Sequence, residues 1–289
     1  MDNKIEHIAF PETSPKLDDE TFIKLRDYIC KKTGIYFNER KKYFIEGRLA
    51  KRLQMLAIPS FEEYYKILTN GLNEEEFSYV CNIITVNETS FFRNEPQITA
   101  FQNRLAVELI EAKRLLGKES LKIWSAACSS GEEPYTIAMV YLEHLKPRYP
   151  DLTIEIIGTD INTAVLELAK RGVYTQYSLR SLPEEYLKYF DKQDGTFKIK
   201  EEVKNLVHFD YLNLVDKQKM RQMKHFDFIF CANVLIYFHE KAKIQVVNDL
   251  YNSLNRGGYL LIGSSEMLHR ISTAFKLVGI PKATAYKKE

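Results

Sequence analysis

The chain has 289 residues, of which 45% are hydrophobic, and a net charge of +2; this exceeds the usual single-domain range of about 100–150 residues, so two globular domains are expected and a disordered chain is excluded. Four cysteines (Cys30, Cys81, Cys128 and Cys231) stand far apart with no C-x-x-C pair, which argues against a disulfide framework or a structural zinc site and fits a reducing cytoplasm. The first residues are polar and acidic, and the longest apolar run, 226–238, is broken by Asp227 and Asn233, so neither a signal peptide nor a membrane span is expected.

In chain order, residues 1–17 read as a flexible segment and 18–90 as an all-α domain. "DDETFIKLRDYICKKTG" opens on acidic capping residues and stops at Gly34, and "SFEEYYKILTNG" runs from a Ser60 cap to Gly71. The near-neutral total hides a basic patch: residues 24–52 hold ten Lys/Arg against Asp27, Glu39 and Glu46. If 39–56 is helical, Lys41, Arg48 and Arg52 fall within about 40° of one another beside an apolar face of Ile45, Leu49 and Leu53. That stripe is either a docking surface or a solvated helix face.

Residues 91–289 read as an α/β domain. The strands "LKIWSAA", "TIEIIGTDI", "FDFIFCANVLIYF" and "YLLIGSSE" alternate with helical segments, the pattern of a doubly wound, Rossmann-like parallel sheet. A small antiparallel β insertion is expected at about 176–208, because 194–209 alternates as a strand around a tight Asp194-Gly195 turn.

The turn after the first strand of such a sheet commonly touches a cofactor. Here it reads "SAACSSGEEP", with the single Gly131 and neither G-x-G-x-x-G nor G-K-[ST]. A helix N-terminus attracts phosphate, but Glu132 and Glu133 would repel one. A ligand that is cationic or neutral at that point fits better, and S-adenosylmethionine, with an ammonium, a sulfonium and no phosphate, qualifies. The acids could also simply complement the helix dipole. Asp160 closes the second strand, 29 residues beyond Gly131, where it could accept ribose hydroxyls or cap the next helix. Asn233 interrupts an apolar strand and needs either a ligand or a core hydrogen bond.

The stretches "NETSFFRNE" (87–95), "WSAACSSGEEPYTIA", "GTDI", "YLNL" (211–214), "NVLIYF" (233–238) and "GSSE" together resemble the chemotaxis receptor methyltransferases, the CheR family, from about Asp18 to the end. The resemblance implies an all-α N-terminal domain followed by a class I S-adenosylmethionine-dependent methyltransferase domain with a small antiparallel β subdomain inserted. It also implies conversion of receptor glutamates to methyl esters in chemotaxis adaptation. By the same resemblance Asn87, Thr89 and Arg93 contact the cofactor, Glu133 its methionyl part and Asp160 its ribose. Asn213 and Leu214 lie by the adenine, Ala232 and Asn233 add contacts at a strand end, and Arg93 and Tyr237 face the reaction. Two departures stand out. Ala232 replaces an arginine frequent in the family, leaving only a backbone contact there, and the β insertion has a short turn with Gly195 where pentapeptide-binding members carry a glycine-rich loop. Dependence on a receptor C-terminal pentapeptide is therefore not expected.

A glutamate carboxylate is already ionised near neutrality, so its attack on a sulfonium methyl needs no general base and no metal. Alignment is the main task, and Arg93 and Tyr237 are candidates to orient the acceptor. Structural roles, a surface ion pair for Arg93 and a core aromatic for Tyr237, are the competing readings. A basic stripe of Lys41, Arg48 and Arg52 would suit the helical bundle of an acidic receptor. The alternative from another class is a non-catalytic sensor or adaptor that binds the cofactor, which would not need Arg93 and Tyr237. A nucleic-acid methyltransferase is disfavoured because "ANVLIY" does not resemble the N-P-P-Y type turn of base-amino enzymes, and a nicotinamide oxidoreductase because the glycines are missing.

Overall fold

The structure, a computed structural model, describes residues 15–70, 74–269 and 271–289. It divides into two compact units, Met1–Thr85 and Val86–Glu289. The division falls five residues before the boundary expected after residue 90, so the whole "NETSFFR" stretch belongs to the second unit. Most of the segment expected to be flexible, and Gly71, lie outside the described residues. Leu17 does not behave as part of a loose segment: its side chain is buried and its N–H donates to Glu46 Oε1 at 3.1 Å.

The first unit is built from α1 (Asp19–Thr33), α2 (Lys42–Met55), α3 (Phe61–Thr69) and α4 (Glu74–Ile84). Asp18 caps α1 by accepting from Thr21 N at 2.8 Å, and Gly34 ends it at φ 77°. Phe22, Leu25 and Ile29 of α1 share one core with Ile45, Leu49 and Leu53 of α2, Phe61, Tyr64 and Leu68 of α3, and Val80 and Ile84 of α4. These are the stripes of i, i+3 and i, i+4 spacing that a helix needs in order to bury one face.

Arg52 departs from the expected basic stripe. It bonds Glu76 bidentately, with Nε to Oε1 at 3.0 Å and Nη2 to Oε2 at 2.5 Å, and its guanidinium lies 3.9 Å from the centre of the Tyr79 ring. Tyr64 OH donates to the same carboxylate at 2.5 Å. Burial opposes the charge of Glu76, but the bonds from Arg52 and Tyr64 prevail and hold its carboxyl below the ordinary value. Spacing alone could not show this, because Glu76 arrives from another helix. Lys41 also lies in a short 3₁₀ turn, Glu39–Lys41, just before α2. Lys41 and Arg48 remain exposed.

The second unit holds β1 (Ser120–Ala126), β2 (Thr153–Asp160), β3 (Val173–Thr175), β4 (Phe190–Gln193), β5 (Thr196–Ile199), β6 (Val207–Tyr211), β7 (Phe226–Cys231), β8 (Leu254–Ile262), β9 (Phe275–Ile280) and β10 (Ala283–Lys288). Seven of them form one sheet in the order β6-β2-β1-β7-β8-β10-β9. β6 through β8 in that order run parallel, while β10 is antiparallel to both β8 and β9. The burial of every residue of β7 explains why its sequence is an almost unbroken apolar run. The hairpin of β9 and β10, turning at Pro281 and Lys282 (φ 58°), is absent from the sequence-based reading, since its strands alternate weakly.

The remaining three strands form the inserted sheet, in the order β3-β5-β4, all antiparallel. β4 and β5 meet at the expected tight turn, with Asp194 and Gly195 both left-handed at φ 48° and 77°, as a two-residue hairpin requires. The limits differ from those expected. The insertion's strands start at Val173 and end at Ile199, and Val207–Tyr211 belongs to the main sheet, where Ile156 pairs with Val207 and Asp160 with Tyr211. An alternating edge strand reads the same in either sheet, and only the pairing partner decides.

Candidate active site

Strand order reverses at β1, which has β2 on one side and β7 on the other, so the crevice beyond the carboxyl ends of β1, β2 and β7 is the expected ligand site. The loop after β1 is tightly folded, with Ala127, Ser129 and Gly131 left-handed at φ 60°, 51° and 90°. Gly131 is required twice over: besides its φ, an added Cβ would lie 2.9 Å from Ala169 Cβ and 3.0 Å from the Phe209 ring. The loop is stapled to β2, since Cys128 N donates to Thr159 O at 2.9 Å and Ser129 N to Asp160 Oδ2 at 2.8 Å.

Asp160 is buried, and its other oxygen accepts from Asn162 N at 2.8 Å. Asn162, not Asp160, caps the following helix, accepting from Val165 N at 3.0 Å. Burial raises the Asp160 carboxyl above its ordinary value, opposed by the N–H groups of Asn162 and Ser129. A carboxylate has about four acceptor positions, and the N–H groups of Ser129, Asn162 and Ile161 take three of them, so acceptor capacity remains for a hydroxyl donor. Leu212 N donates to the backbone oxygen of Asp160 at 3.1 Å, which brings the 211–214 stretch alongside. There Asn213 Oδ1 accepts from Val215 N at 3.2 Å, whereas Leu214 is buried in the core.

The two acids of the helix Glu132–Val140 differ. Glu132 is turned inward and takes the Ser130 hydroxyl at 2.7 Å. Glu133 is half-buried and takes the Ser125 hydroxyl at 2.6 Å. Burial pushes the Glu133 carboxyl up to about 7; Ser125 and Arg93 oppose this and Glu266 adds to it.

Residues 87–94 form a strap held by its two phenylalanines. Phe91 meets the rings of Tyr174 and Phe190 edge-on at 4.8 and 5.1 Å, and Phe92 lies 4.4 Å from Tyr186. Phe91 N donates to Ser178 O at 2.9 Å and Phe92 N to Thr136 Oγ1 at 3.2 Å. Arg180 pairs with Glu88 at 2.5 Å and donates to Thr89 O at 3.2 Å, and Tyr177 OH donates to Glu88 at 3.0 Å. Anchored in this way, the strap places the Asn87 carbonyl against the Ser129 hydroxyl at 3.2 Å and Arg93 within electrostatic reach of Glu133. The Arg93 guanidinium donates to the Glu88 carbonyl. Phe92 and Asn94 are non-glycine residues at φ 54° and 61°, the kind of backbone strain that surrounding contacts must hold in place.

Beyond β7, Ala232 is half-buried and Asn233 is left-handed at φ 61°. Asn233 N donates to Glu266 Oε2 at 2.9 Å, and its side-chain oxygen is buried with no hydrogen-bond partner among the described residues. Tyr237 stands exposed at the end of the short 3₁₀ helix Leu235–Tyr237. Sequence reasoning assigned no role to Glu266, Arg180, Tyr177 or Ser178. The acid of "GSSE" could have been noticed, since it follows a parallel strand as Glu133 and Asp160 do.

Residues 20–85 match the description "CheR methyltransferase, all-alpha domain", and residues 87–284 match "CheR methyltransferase, SAM binding domain". The chain belongs to the CheR methyltransferase family. It is 36% identical over 274 residues to Chemotaxis protein methyltransferase 2 of Vibrio cholerae serotype O1, covering 94% of each chain. To the Chemotaxis protein methyltransferase of Borreliella burgdorferi it is 38% identical over 240 residues, covering 81% of this chain and 83% of that one. The CheR fold of a helical domain followed by an S-adenosylmethionine-binding α/β domain is the architecture described above. The site residues suit that cofactor: the Asn233 oxygen lacks a donor among the described residues, Asp160 retains acceptor capacity, and Glu133 stands at the helix start where a phosphate would be repelled. No helix among the described residues is long and apolar enough to cross a membrane.

Proposed function

We propose that this CheR methyltransferase transfers a methyl group from S-adenosylmethionine to glutamate side chains of a chemoreceptor, forming glutamyl methyl esters. The observation that carries this reading is the set of polar groups at the carboxyl ends of the strands where strand order reverses: Glu133 on the Ser125 hydroxyl at 2.6 Å, Asp160 on the N–H groups of Ser129 and Asn162 at 2.8 Å, and the buried Asn233 Oδ1 with no partner among the described residues. When bound, the cofactor supplies an electrophilic methyl group on a sulfonium centre. Glu133, with the Ser125 hydroxyl holding one oxygen, would receive its ammonium, Asp160 its ribose hydroxyls, and Asn233 Oδ1 a hydrogen-bond donor. Asn87, Thr89, Asn213, Leu214 and the backbone of Ala232 complete the set of contacts proposed from the family resemblance.

Arg93 and Tyr237 are the groups assigned to the acceptor. A carboxylate nucleophile needs no base, so their work is to orient it, and orientation in such reactions is worth about 7–11 kcal/mol. Arg93 serves this role well because Glu133 offsets part of its charge, which leaves the acceptor oxygen nucleophilic. The proposed partner is the acidic helical bundle of a receptor, met by the exposed Lys41 and Arg48 of the first unit; Arg52 is committed to Glu76. The two-residue turn at Asp194 and Gly195 offers no long loop for a receptor tail.

The test is incubation of the purified chain with methyl-labelled cofactor and receptor-rich membranes, followed by mild base. Labelled receptor that releases methanol supports the reading, and label stable to base overturns the ester.

A further inference from the structure

Glu266 is buried, 4% exposed, between two loops. Its Oε2 accepts from Gly263 N at 2.7 Å and Asn233 N at 2.9 Å, and its Oε1 accepts from Ile236 N at 3.2 Å. Glu266 N in turn donates to Gly263 O at 2.9 Å. One carboxylate therefore satisfies three backbone donors, one in the loop after β8 and two in the turn after β7. Gly263 has no side chain because one would collide: an added Cβ would lie 2.9 Å from Glu266 Oε2 and 2.8 Å from Asn233 Nδ2.

The turn needs such a tie. Asn233 is held left-handed at φ 61°, a conformation that a residue other than glycine keeps where its surroundings hold it. Ile236 is 49% and Tyr237 36% exposed, so apolar packing does little to fix them. Besides Glu266, the turn rests on buried Leu235, on Val234 and Phe238 packed against the same core, and on the bonds Tyr237 N to Val234 O at 3.1 Å and Phe238 N to Leu235 O at 3.2 Å.

We propose that Glu266 is a positioning residue for methyl transfer, tying the loop after β8 to the turn after β7 so that Asn233 and Tyr237 present their side chains to cofactor and acceptor. This rests on the reading of Tyr237 as an acceptor-side group. Glu266 also has an electrostatic consequence that a purely structural tie would lack. Glu133 accepts from the Ser125 hydroxyl of β1 and lies within electrostatic reach of Arg93 of the strap and of Glu266, with the thiols of Cys128 and Cys231 within its field. Of these, Glu266 opposes ionisation of Glu133, so neutralising it should ease that ionisation.

Glu266→Gln keeps the shape. Its amide oxygen can still accept from Asn233 and Gly263, but its NH₂ then faces the Ile236 N–H. Glu266→Asp keeps the charge and loses the reach. Both variants, Tyr237→Phe and wild type should be compared by calorimetric titration with S-adenosylhomocysteine across pH, by amide hydrogen exchange, and by initial rates on receptor-rich membranes. For Glu266→Gln the expected result is near-normal cofactor affinity at mildly alkaline pH, a binding half-point moved to lower pH, and faster exchange at Ile236. Its kcat should fall about 100-fold, the effect of a small misplacement of a reacting group. Glu266→Asp should lose kcat without moving the half-point. A wild-type kcat in both Glu266 variants beside an impaired Tyr237→Phe overturns the positioning alone; a fully active Tyr237→Phe overturns the acceptor reading and the positioning with it. The binding and exchange arms need no acceptor, and an unmoved half-point with unchanged exchange at Ile236 in Glu266→Gln overturns the tie even where the chosen membranes are poor substrates.

Discussion

At the scale of single residues, Glu133 is the group through which pH should act. Its folded value of about 7 stands above its ordinary 4.5, so between these values the empty folded protein holds a proton that the unfolded chain releases. Stability of the unliganded protein should therefore fall as pH rises through that window, with Asp160 contributing in the same sense. Cofactor binding should show the opposite trend, strengthening as pH rises through about 7 while Glu133 ionises to meet the ammonium. Calorimetry with S-adenosylhomocysteine from mildly acidic to neutral pH checks this, and Glu133→Gln should flatten the profile. Asp160→Asn should weaken S-adenosylmethionine and S-adenosylhomocysteine by the same factor, about 10- to 100-fold for bonds to a charged acceptor. Equal affinity in the variant would remove Asp160 from the site. The carboxylates were legible in the sequence because acids at strand ends stand out against apolar runs. Which of the two adjacent acids serves the cofactor came from the family resemblance, which named Glu133 alone; charge and spacing did not separate them, and in the structure Glu132 turns inward to the Ser130 hydroxyl while Glu133 takes that of Ser125.

At the scale of elements, the strap is the part whose logic depends on distant neighbours. Phe91 is fully buried among aromatic rings, and Phe91→Ala should cost about 3–5 kcal/mol of stability, read as a lowered denaturant midpoint. Arg180→Ala removes the ion pair to Glu88 and the bond to Thr89 O. Partly exposed pairs contribute about 0–1 kcal/mol, so folding should survive while cofactor affinity falls by less than about tenfold. A variant with unchanged affinity and unchanged hydrogen exchange over 87–91 would show that the phenylalanines hold the strap unaided. The "NETSFFR" stretch announced itself in the sequence, but its partners Ser178 and Arg180 did not, since they arrive from beside the inserted sheet about 90 residues later. The misplacement of 207–211 has a related cause. Alternation identifies a strand but carries no information about which sheet supplies its hydrogen bonds.

At the scale of the molecule, the proposed docking surface is the exposed pair Lys41 and Arg48 of the first unit. Lys41→Glu with Arg48→Glu should leave that unit folded and slow receptor methylation at low salt, and the difference from wild type should shrink as salt screens exposed charges beyond about 8–10 Å. Truncating the receptor tail should change little. Arg52→Glu is a different experiment: it sets a like charge against buried Glu76 and should destabilise the first unit by about 3–5 kcal/mol, measured by thermal or denaturant unfolding. A loss of methylation in that variant would report unfolding and not docking. The sequence by itself determined the two-part order of helices then alternating strands and helices, the phosphate-repelling start of the helix at Glu132, and the tight turn at Asp194 and Gly195. Each depends on local propensity, periodicity or charge within a few residues. Only the tertiary structure decided that Arg52 is consumed by Glu76, that β6 joins the main sheet, and that Glu266 gathers three backbone donors from two loops. Apart from the local bond of Gly263 to Glu266, these are pairings between groups 24 or more residues apart or between neighbouring strands. Their partners are selected by packing of the whole sheet and bundle, which no local pattern encodes.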